Sequence, residues 1–158
     1  MTPATRQSAG SDLISGRHMS RFEIHPQLLH DCHRLGRLRL CHVLLHKNAA
    51  VPWLILVPET VSRGDLLDLA EHVRNVAMGE AAMVAHFIKN EFAVSKINFA
   101  AIGNVVSQLH LHVVGRRATD PCWPAPVWGN LVDADGYSSA RIAILTATLT
   151  QNPSLKTF

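Results

Sequence analysis

The chain has 158 residues, a formal net charge of +3 at pH 7 and a hydrophobic content of 47%. This length allows one domain with its own core, and the composition fits a globular protein. Short arginine clusters occur, but no long basic run with interleaved aromatic residues does, so the charge does not indicate a surface for a nucleic acid polymer. We expect a small anionic molecule as the partner, and neither a polymer nor a membrane.

Residues 1–20 differ in composition from the rest of the chain. They are rich in Ser, Thr, Gly and Arg and contain no apolar run, which argues against a secretory signal and a membrane span. We expect a flexible N-terminal extension there, with a transit peptide as the alternative, and a single domain over residues 21–158.

The cysteine content indicates the compartment. Cys32, Cys41 and Cys122 are scattered along the chain without a CxxC motif. An odd, sparse count predicts free thiols in a reducing environment, so we expect a cytoplasmic protein. The simplest structural role for each cysteine is that of a small buried residue.

The first part of the chain predicts a helix followed by a hairpin. A proline near the first turn and a glycine at the end predict a short helix over residues 26–35. Alternation predicts a strand over residues 37–46, and a fully apolar run predicts a central strand over residues 53–57. Residues 47–50 would connect the two strands.

The second part predicts a long helix, a strand and a final helix. Apolar residues recur at i, i+3, i+4 and i+7 over residues 62–90, which is typical of an amphipathic helix, and Ser62 or Asp65 is its expected N-cap. Alternation predicts a strand over residues 95–102, and a C-terminal helix is expected over residues 137–149. Strands, a long helix and strands again predict an α+β domain built on an antiparallel sheet.

Polar and apolar residues alternate without a break in the segment Gln108-Leu109-His110-Leu111-His112-Val113-Val114. This is the period of a half-buried strand, which places Gln108, His110 and His112 in a row on one face, roughly 7 Å apart. A tight Gly-Asn turn precedes the segment, so we expect it to pair antiparallel with the strand before it. That pairing predicts that Asn98 lies near His110 or His112.

Three interpretations of the two histidines are open. A zinc site needs further ligands, but His42 and His46 would lie about 13 Å apart and no Cys or Glu stands at ligand spacing nearby. Hydrogen-bonded surface histidines are the second interpretation. The third is catalysis, because a neutral imidazole attacks phosphorus well, and a second imidazole on the same face can stabilise phosphoryl oxygens or transfer a proton.

At these residues the chain resembles the histidine triad (HIT) superfamily of nucleotide-binding hydrolases and transferases. The family pattern is His-φ-His-φ-His-φ-φ, where φ is apolar, and Gln108 stands at its first histidine. Asn104 lies where many members have Gln, and Trp53 replaces the histidine of the family's Pro-Gly-His-φ-φ-φ-φ-Pro strand. The resemblance extends over about residues 37–128 and includes the order of the elements and a Trp-Pro segment after the triad.

The resemblance implies a fold and a reaction. The implied fold is a HIT-like α+β domain, with an antiparallel sheet of about five strands, one long amphipathic helix and short flanking helices, in a homodimer. The implied reaction is hydrolysis or transfer at the α-phosphate of a nucleotide conjugate, of the dinucleoside polyphosphate or nucleoside phosphoramidate type. It proceeds through a nucleotidyl-histidine intermediate and needs no metal and no organic cofactor.

The resemblance also implies a role for individual residues. His110 is the expected nucleophile, and His112 is expected to contact the phosphate. Asn104 and Ser107 are expected to contact the phosphate and the leaving group. His46 or Asn48 is expected to contact the ribose. Strand pairing adds Asn98 to these expected substrate-binding residues.

Gln108 is the departure from the family pattern. An amide keeps a hydrogen bond but cannot carry a proton near neutral pH. Gln108 therefore either orients its neighbours, or turnover falls and shifts to substrates with better leaving groups. A non-catalytic nucleotide-binding regulatory protein is the alternative function, and a metal-binding module is a third hypothesis.

Overall fold

The computed structural model describes residues 22–60 and 64–151, so the predicted extension over residues 1–20 and the predicted cap Ser62 lie outside the described residues. No helix in the described part of the chain is long and apolar enough to cross a membrane. The elements in chain order are α1 (Pro26–Asp31), β1 (Cys32–Arg37), β2 (Cys41–His46), β3 (Trp53–Pro58), a 3-10 turn (Leu66–Asp68), α2 (Glu71–Phe92), β4 (Lys96–Ala100), β5 (Leu111–Arg116) and α3 (Ser139–Thr150).

The strands form one sheet of five, in the order β1-β2-β3-β5-β4. Each neighbouring pair is antiparallel. The sheet, the long helix and the flanking helices confirm the predicted α+β fold. The apolar run predicted as a central strand is β3, which lies in the middle of the sheet.

Both faces of the sheet are covered, and every residue of β3 and of β5 is buried. On one face, Leu111 and Val113 pack with the buried side of α2 and with α3. On the other face, Val114 packs with residues of β3, with α1 and with the loop that contains Val127. Strands that are covered on both sides read as continuous apolar runs, which explains the composition of β3.

The first helix is shorter than predicted. It ends at Asp31, and the chain continues directly into β1 instead of remaining helical to Leu35. β1 pairs with β2 along its length, with a register shift between Arg34 and Gly36. The predicted helix stop, Gly36, therefore lies inside a strand, because long-range pairing outweighs the local helical pattern. For the same reason the predicted strand over residues 37–46 is divided between the end of β1, a turn and β2.

The long helix is confirmed, but its predicted start is wrong. It begins at Glu71, and Asp65 instead caps the 3-10 turn, where its side chain and that of Asp68 form a reciprocal capping box. The helix ends when Ala93 adopts a left-handed conformation with φ of 49°. Gly79 lies within the helix without interrupting it, as the periodicity indicates.

The three cysteines are free thiols, and all three are buried. Burial raises the pKa of the Cys32 thiol to about 12 and raises the pKa of the Cys41 thiol further. Both thiols therefore remain protonated at neutral pH and behave as small apolar side chains.

At Gly115 on β5 the sheet approaches α2 closely. A methyl group added at this glycine would lie 2.6 Å from Ile88 Cγ2 and 2.9 Å from Val94 Cγ2. We predict that Gly115→Ala lowers the free energy of unfolding by about 1–3 kcal/mol, because the packed side chains must shift. Urea denaturation measures this change.

Gly79→Ala is the matched control. An added methyl group there meets no atom within 4 Å. Because Gly79 lies in a helix interior, we expect this substitution to raise the free energy of unfolding by about 0.5–1 kcal/mol. Equal effects of the two substitutions would contradict the close approach at Gly115.

Candidate active site

A cavity of about 340 Å³ opens on the face of the sheet opposite α2. Its walls come from α1, from β2 and β3, from the loop of residues 102–106, and from Trp128. His110 and His112 form part of the lining. A larger cavity of about 540 Å³ lies between α2 and α3, on the other face of the sheet, and neither of these histidines lines it.

His110 lies one residue before β5 and is buried. Its Nδ1 is 2.7 Å from the main-chain oxygen of Gln108. A carbonyl oxygen only accepts hydrogen bonds, so Nδ1 carries a proton, and in the neutral form of the ring Nε2 keeps a lone pair. This is the form in which an imidazole acts as a nucleophile.

His112 lies within β5 and has the opposite tautomer. The indole Nε1–H of Trp53 donates to His112 Nδ1 at 3.0 Å. Since an indole nitrogen can only donate, Nδ1 is unprotonated and the proton of the neutral ring is on Nε2. Burial lowers the pKa of His112 to about 3, with further lowering from His110 and His46. The ring is therefore neutral at physiological pH.

The two imidazoles contact each other edge to face. Their ring centroids are 4.7 Å apart and the ring planes make an angle of 78°. One ring offers a bare nitrogen and the other offers an N–H donor, and both line the same cavity. This arrangement places a nitrogen lone pair beside an N–H donor on the wall of one cavity.

Gln108 does not continue the row that the alternation predicts. Its amide Nε2 donates to the main-chain oxygen of Glu23 at 2.9 Å, and its Oε1 accepts from the main-chain N–H of His25 at 2.7 Å. The side chain therefore holds the segment that leads into α1. The contact from Gln108 to His110 comes from its main-chain carbonyl and not from its amide.

Aromatic rings surround the histidines. His46 stacks on Trp53 with ring centroids 4.5 Å apart and planes 14° apart. Trp128 meets the rings of Trp53 and His112 edge to face, at centroid distances of 5.8 and 5.5 Å. The tryptophan of the Trp-Pro motif, Trp123, instead lies 42% exposed with Arg116 over its ring. The ring that reaches the site is thus the later tryptophan of that segment.

The structure brings together some of the other predicted residues. His46 lines the cavity, and burial lowers its pKa. Asn104 also lines the cavity, on the exposed loop that follows Gly103, whose φ is +69°. Ser107 is exposed in the same loop and is outside the cavity lining.

Asn48 and Asn98 are held elsewhere. The Asn48 amide donates to the main-chain oxygen of Val132 at 2.9 Å and accepts from the N–H of Ala50. Asn98 accepts from Arg116 Nη1 at 2.7 Å and lies opposite Val114 in the sheet. Neither amide lines the cavity, so the expected position of Asn98 near the two histidines is not observed.

Sequence reasoning missed the wall that α1 contributes. Gln27, Leu28 and Asp31 line the cavity. The Gln27 amide donates to both carboxylate oxygens of Asp31, at 3.0 and 2.9 Å. An i, i+4 pair of this kind is ordinary on a helix surface, so it offers no signal of a site. The folded structure places this wall beside the histidines, where Gln108 holds the residues just before α1 through Glu23 and His25.

The described residues contain no cluster of three or more His, Cys, Asp or Glu side chains arranged to hold a metal ion. His42 and His46 lie near opposite ends of β2. His110 and His112 are bonded through Nδ1 to a carbonyl and to an indole, respectively.

Residues 28–119 match the HIT domain family. A histidine triad protein from Bradyrhizobium japonicum is 34% identical, with a TM-score of 0.76 and coverage of 82% of this chain and 96% of that one. One from Sinorhizobium meliloti 1021 is 34% identical, with a TM-score of 0.78 and coverage of 85% and 98%. One from Marinobacter aquaeolei VT8 is 36% identical, with a TM-score of 0.76 and coverage of 85% and 96%. No curated protein is detectably similar to the sequence.

The lowered pKa of His112 predicts how stability depends on pH. The pKa is about 3 in the folded protein, compared with the ordinary value of 6.5 in an unfolded chain. Between these values the unfolded chain binds more protons, so this contribution to stability is complete above pH 6.5 and is lost as the pH falls toward 3. We predict a loss of about 1.4 kcal/mol per pH unit below pH 6 from this residue.

Urea denaturation between pH 7 and pH 5 measures this slope. His112→Gln should reduce the slope, and His72→Gln, at an exposed position of α2, serves as the control. Identical slopes for the wild type and His112→Gln would show that His112 does not cause the dependence.

Gln108 predicts a local effect on α1. Gln108→Ala removes two hydrogen bonds to the main chain, each of which contributes about 1 kcal/mol. We expect amide exchange to accelerate in residues 22–31 and to remain unchanged in α2, as measured by hydrogen–deuterium exchange. Gln108→Glu should also accelerate exchange there, because a carboxylate still accepts from His25 but places an acceptor oxygen against the main-chain oxygen of Glu23.

Asn75→Ala, at an exposed position on α2, is the control for this experiment. Unchanged exchange in residues 22–31 of Gln108→Ala would contradict the proposed attachment of this segment.

Proposed function

Because the chain belongs to the HIT domain family, we propose that it is a hydrolase or nucleotidyltransferase that acts at the α-phosphate of a nucleotide conjugate. Family membership supports a nucleotide-binding or hydrolase type of function in general. The substrate class and the mechanism are our proposal. The substrate is of the dinucleoside polyphosphate or nucleoside phosphoramidate type.

The pair of opposite tautomers is the observation that supports this proposal most. His110 Nε2 attacks the α-phosphorus, forming an N–P bond while the bond from phosphorus to the leaving group breaks. The Nε2–H of His112 donates to a phosphoryl oxygen, where negative charge increases in the transition state. Water, or another acceptor in the transferase reaction, then attacks phosphorus and gives its proton to the solvent, while the N–P bond breaks and the imidazole of His110 is released.

The lining of the cavity supports a nucleoside as the remainder of the substrate. A volume of about 340 Å³ is within the usual range for small-molecule sites. His46, Trp53 and Trp128 offer aromatic surface, and Asp31 offers a carboxylate for hydroxyl groups. Asn104 provides an amide on the loop beside the histidines, where it contacts the phosphate or the leaving group.

The position of Gln108 affects the choice between the two substrate types. Its amide is bonded to the main chain of the N-terminal segment, and an amide has no proton to transfer near neutral pH. An amine leaving group needs a proton when its bond to phosphorus breaks, whereas a phosphate leaves as a stable anion. We therefore propose that dinucleoside polyphosphates are better substrates than phosphoramidates.

The same observation favours a second candidate function. Positions 53 and 108 both lack the histidine of the family pattern, and the amide at 108 serves to hold another segment. A protein that binds nucleotides without turnover, and acts as a regulator, is consistent with that change.

Trapping the intermediate tests the catalytic proposal. We predict that the wild type, incubated with a radiolabelled adenosine dinucleotide and quenched, carries an acid-labile label that His110→Ala lacks. Turnover by His110→Ala should fall by at least about 10³-fold, because the nucleophile is removed. Labelling and steady-state hydrolysis measure the two effects, and His72→Ala is the control at an exposed position.

Equal turnover by the wild type and His110→Ala would refute the mechanism. Calorimetry separates the second candidate function from the first. Nucleotide binding without turnover across a series of leaving groups would favour the regulatory protein.

A further inference from the structure

We propose that Trp53 is a positioning residue of this site: its indole N–H holds the His112 imidazole in the tautomer that presents Nε2–H to the substrate. The expected orienting residue was Gln108, but its amide is bonded elsewhere. The importance of Trp53 for turnover rests on the proposed function. Its effect on the tautomer of His112 does not, and can be measured without a substrate.

The hydrogen bond from Trp53 to His112 is buried and well defined. Its length is 3.0 Å, and Trp53 and His112 are 8% and 6% exposed. The rings meet at an angle of 62° with centroids 5.5 Å apart, so the edge of one ring points toward the other. Because the pair is buried, the other tautomer of His112 is unfavourable. Its Nδ1–H would face the indole N–H of Trp53, and neither donor would then have an acceptor.

The indole ring is itself fixed in place. Trp53 begins β3 and lies opposite Val114 on β5, while the residue opposite His112 is Ile55. Trp53 and His112 are therefore diagonal neighbours on one face, which is a distance that aromatic side chains span. His46 stacks on the ring and Trp128 contacts it edge to face, so rotation of the indole would disturb both contacts.

The other contacts of the triad segment do not determine the tautomer of His112. The Gln108 amide is bonded to the main chain of Glu23 and His25. The Gln108 carbonyl is bonded to His110 Nδ1. Among the hydrogen bonds of the described residues, the one to His112 Nδ1 comes from Trp53.

Loss of this hydrogen bond would change what His112 can do. A neutral imidazole without a partner at Nδ1 is free to place its proton on either nitrogen. In the Nδ1–H tautomer, Nε2 carries a lone pair and no proton, so it repels a phosphoryl oxygen instead of donating a hydrogen bond to it. The site would then lose the donor beside the nucleophile in a fraction of the molecules.

Trp53→Phe tests this proposal, because it removes the N–H and keeps an aromatic ring to stack on His46. The matched control is Trp123→Phe, since Trp123 is 42% exposed and lies outside the cavity lining. Two-bond ¹H–¹⁵N correlation spectra of the histidine rings report the tautomer directly. Steady-state kinetics with an adenosine dinucleotide report kcat and KM separately.

We expect His112 to be in the Nε2–H tautomer in the wild type and in Trp123→Phe from pH 6 to pH 8. In Trp53→Phe, the ¹⁵N resonance of His112 Nδ1 should move toward the value of an imidazole that exchanges between its two tautomers. The value of kcat should fall by roughly tenfold or more, as for other residues that orient a catalytic histidine, while KM changes much less. A purely structural role would not shift the Nδ1 resonance.

Two outcomes would overturn the proposal. One is an Nδ1–H tautomer of His112 in the wild type, which decides the matter even if Trp53→Phe fails to fold. The other is a Trp53→Phe protein with the wild-type tautomer and the kcat of Trp123→Phe. If the wild type turns over no nucleotide but Trp53→Phe alters the tautomer, the positioning role stands and the proposed enzymatic function fails.

Discussion

The antiparallel pairing of β3 with β5 is the constraint on which the site depends. It places Ile55 opposite His112 and Trp53 opposite Val114, which brings the indole diagonally to the imidazole. The same pairing directs Leu111 and Val113 toward α2 on the other face. One register thus determines both the packing of the core and the contact that orients a histidine. A shift by one residue would exchange the two faces and place the imidazole in the apolar core.

Burial and hydrogen bonding act together on the two imidazoles. The Nδ1 atoms of His110 and His112 have opposite roles, a donor in His110 and an acceptor in His112. Burial lowers the pKa of His112 to about 3, so this ring remains a neutral donor. A positive charge there would face the Trp53 N–H as a second donor. The chemistry available to the site therefore follows from the low polarity of its surroundings as much as from the histidines themselves.

Gln108 shows how one departure from a family pattern changes a site. Its amide, unlike an imidazole, donates and accepts at the same end of the side chain. It therefore bonds both to a carbonyl and to an N–H of the segment before α1. That segment leads to Gln27, Leu28 and Asp31, which form one wall of the cavity. Gln108, which we expected to take part in the chemistry, thus helps to hold one wall of the cavity.

The sequence by itself determined the elements whose signal is local. The alternation around His110 and His112, the apolar run of β3 and the helical period of α2 predicted the α+β fold and placed both histidines on one face of a strand. The family resemblance added His46, which lines the same cavity. Tertiary structure decided the rest. The α1–β1 boundary depends on pairing with β2. The two partners of Gln108 lie 83 and 85 residues away along the chain, and the partner of Trp53 lies 59 residues away. Such contacts form only when the folded sheet brings distant segments together, so no local pattern records them.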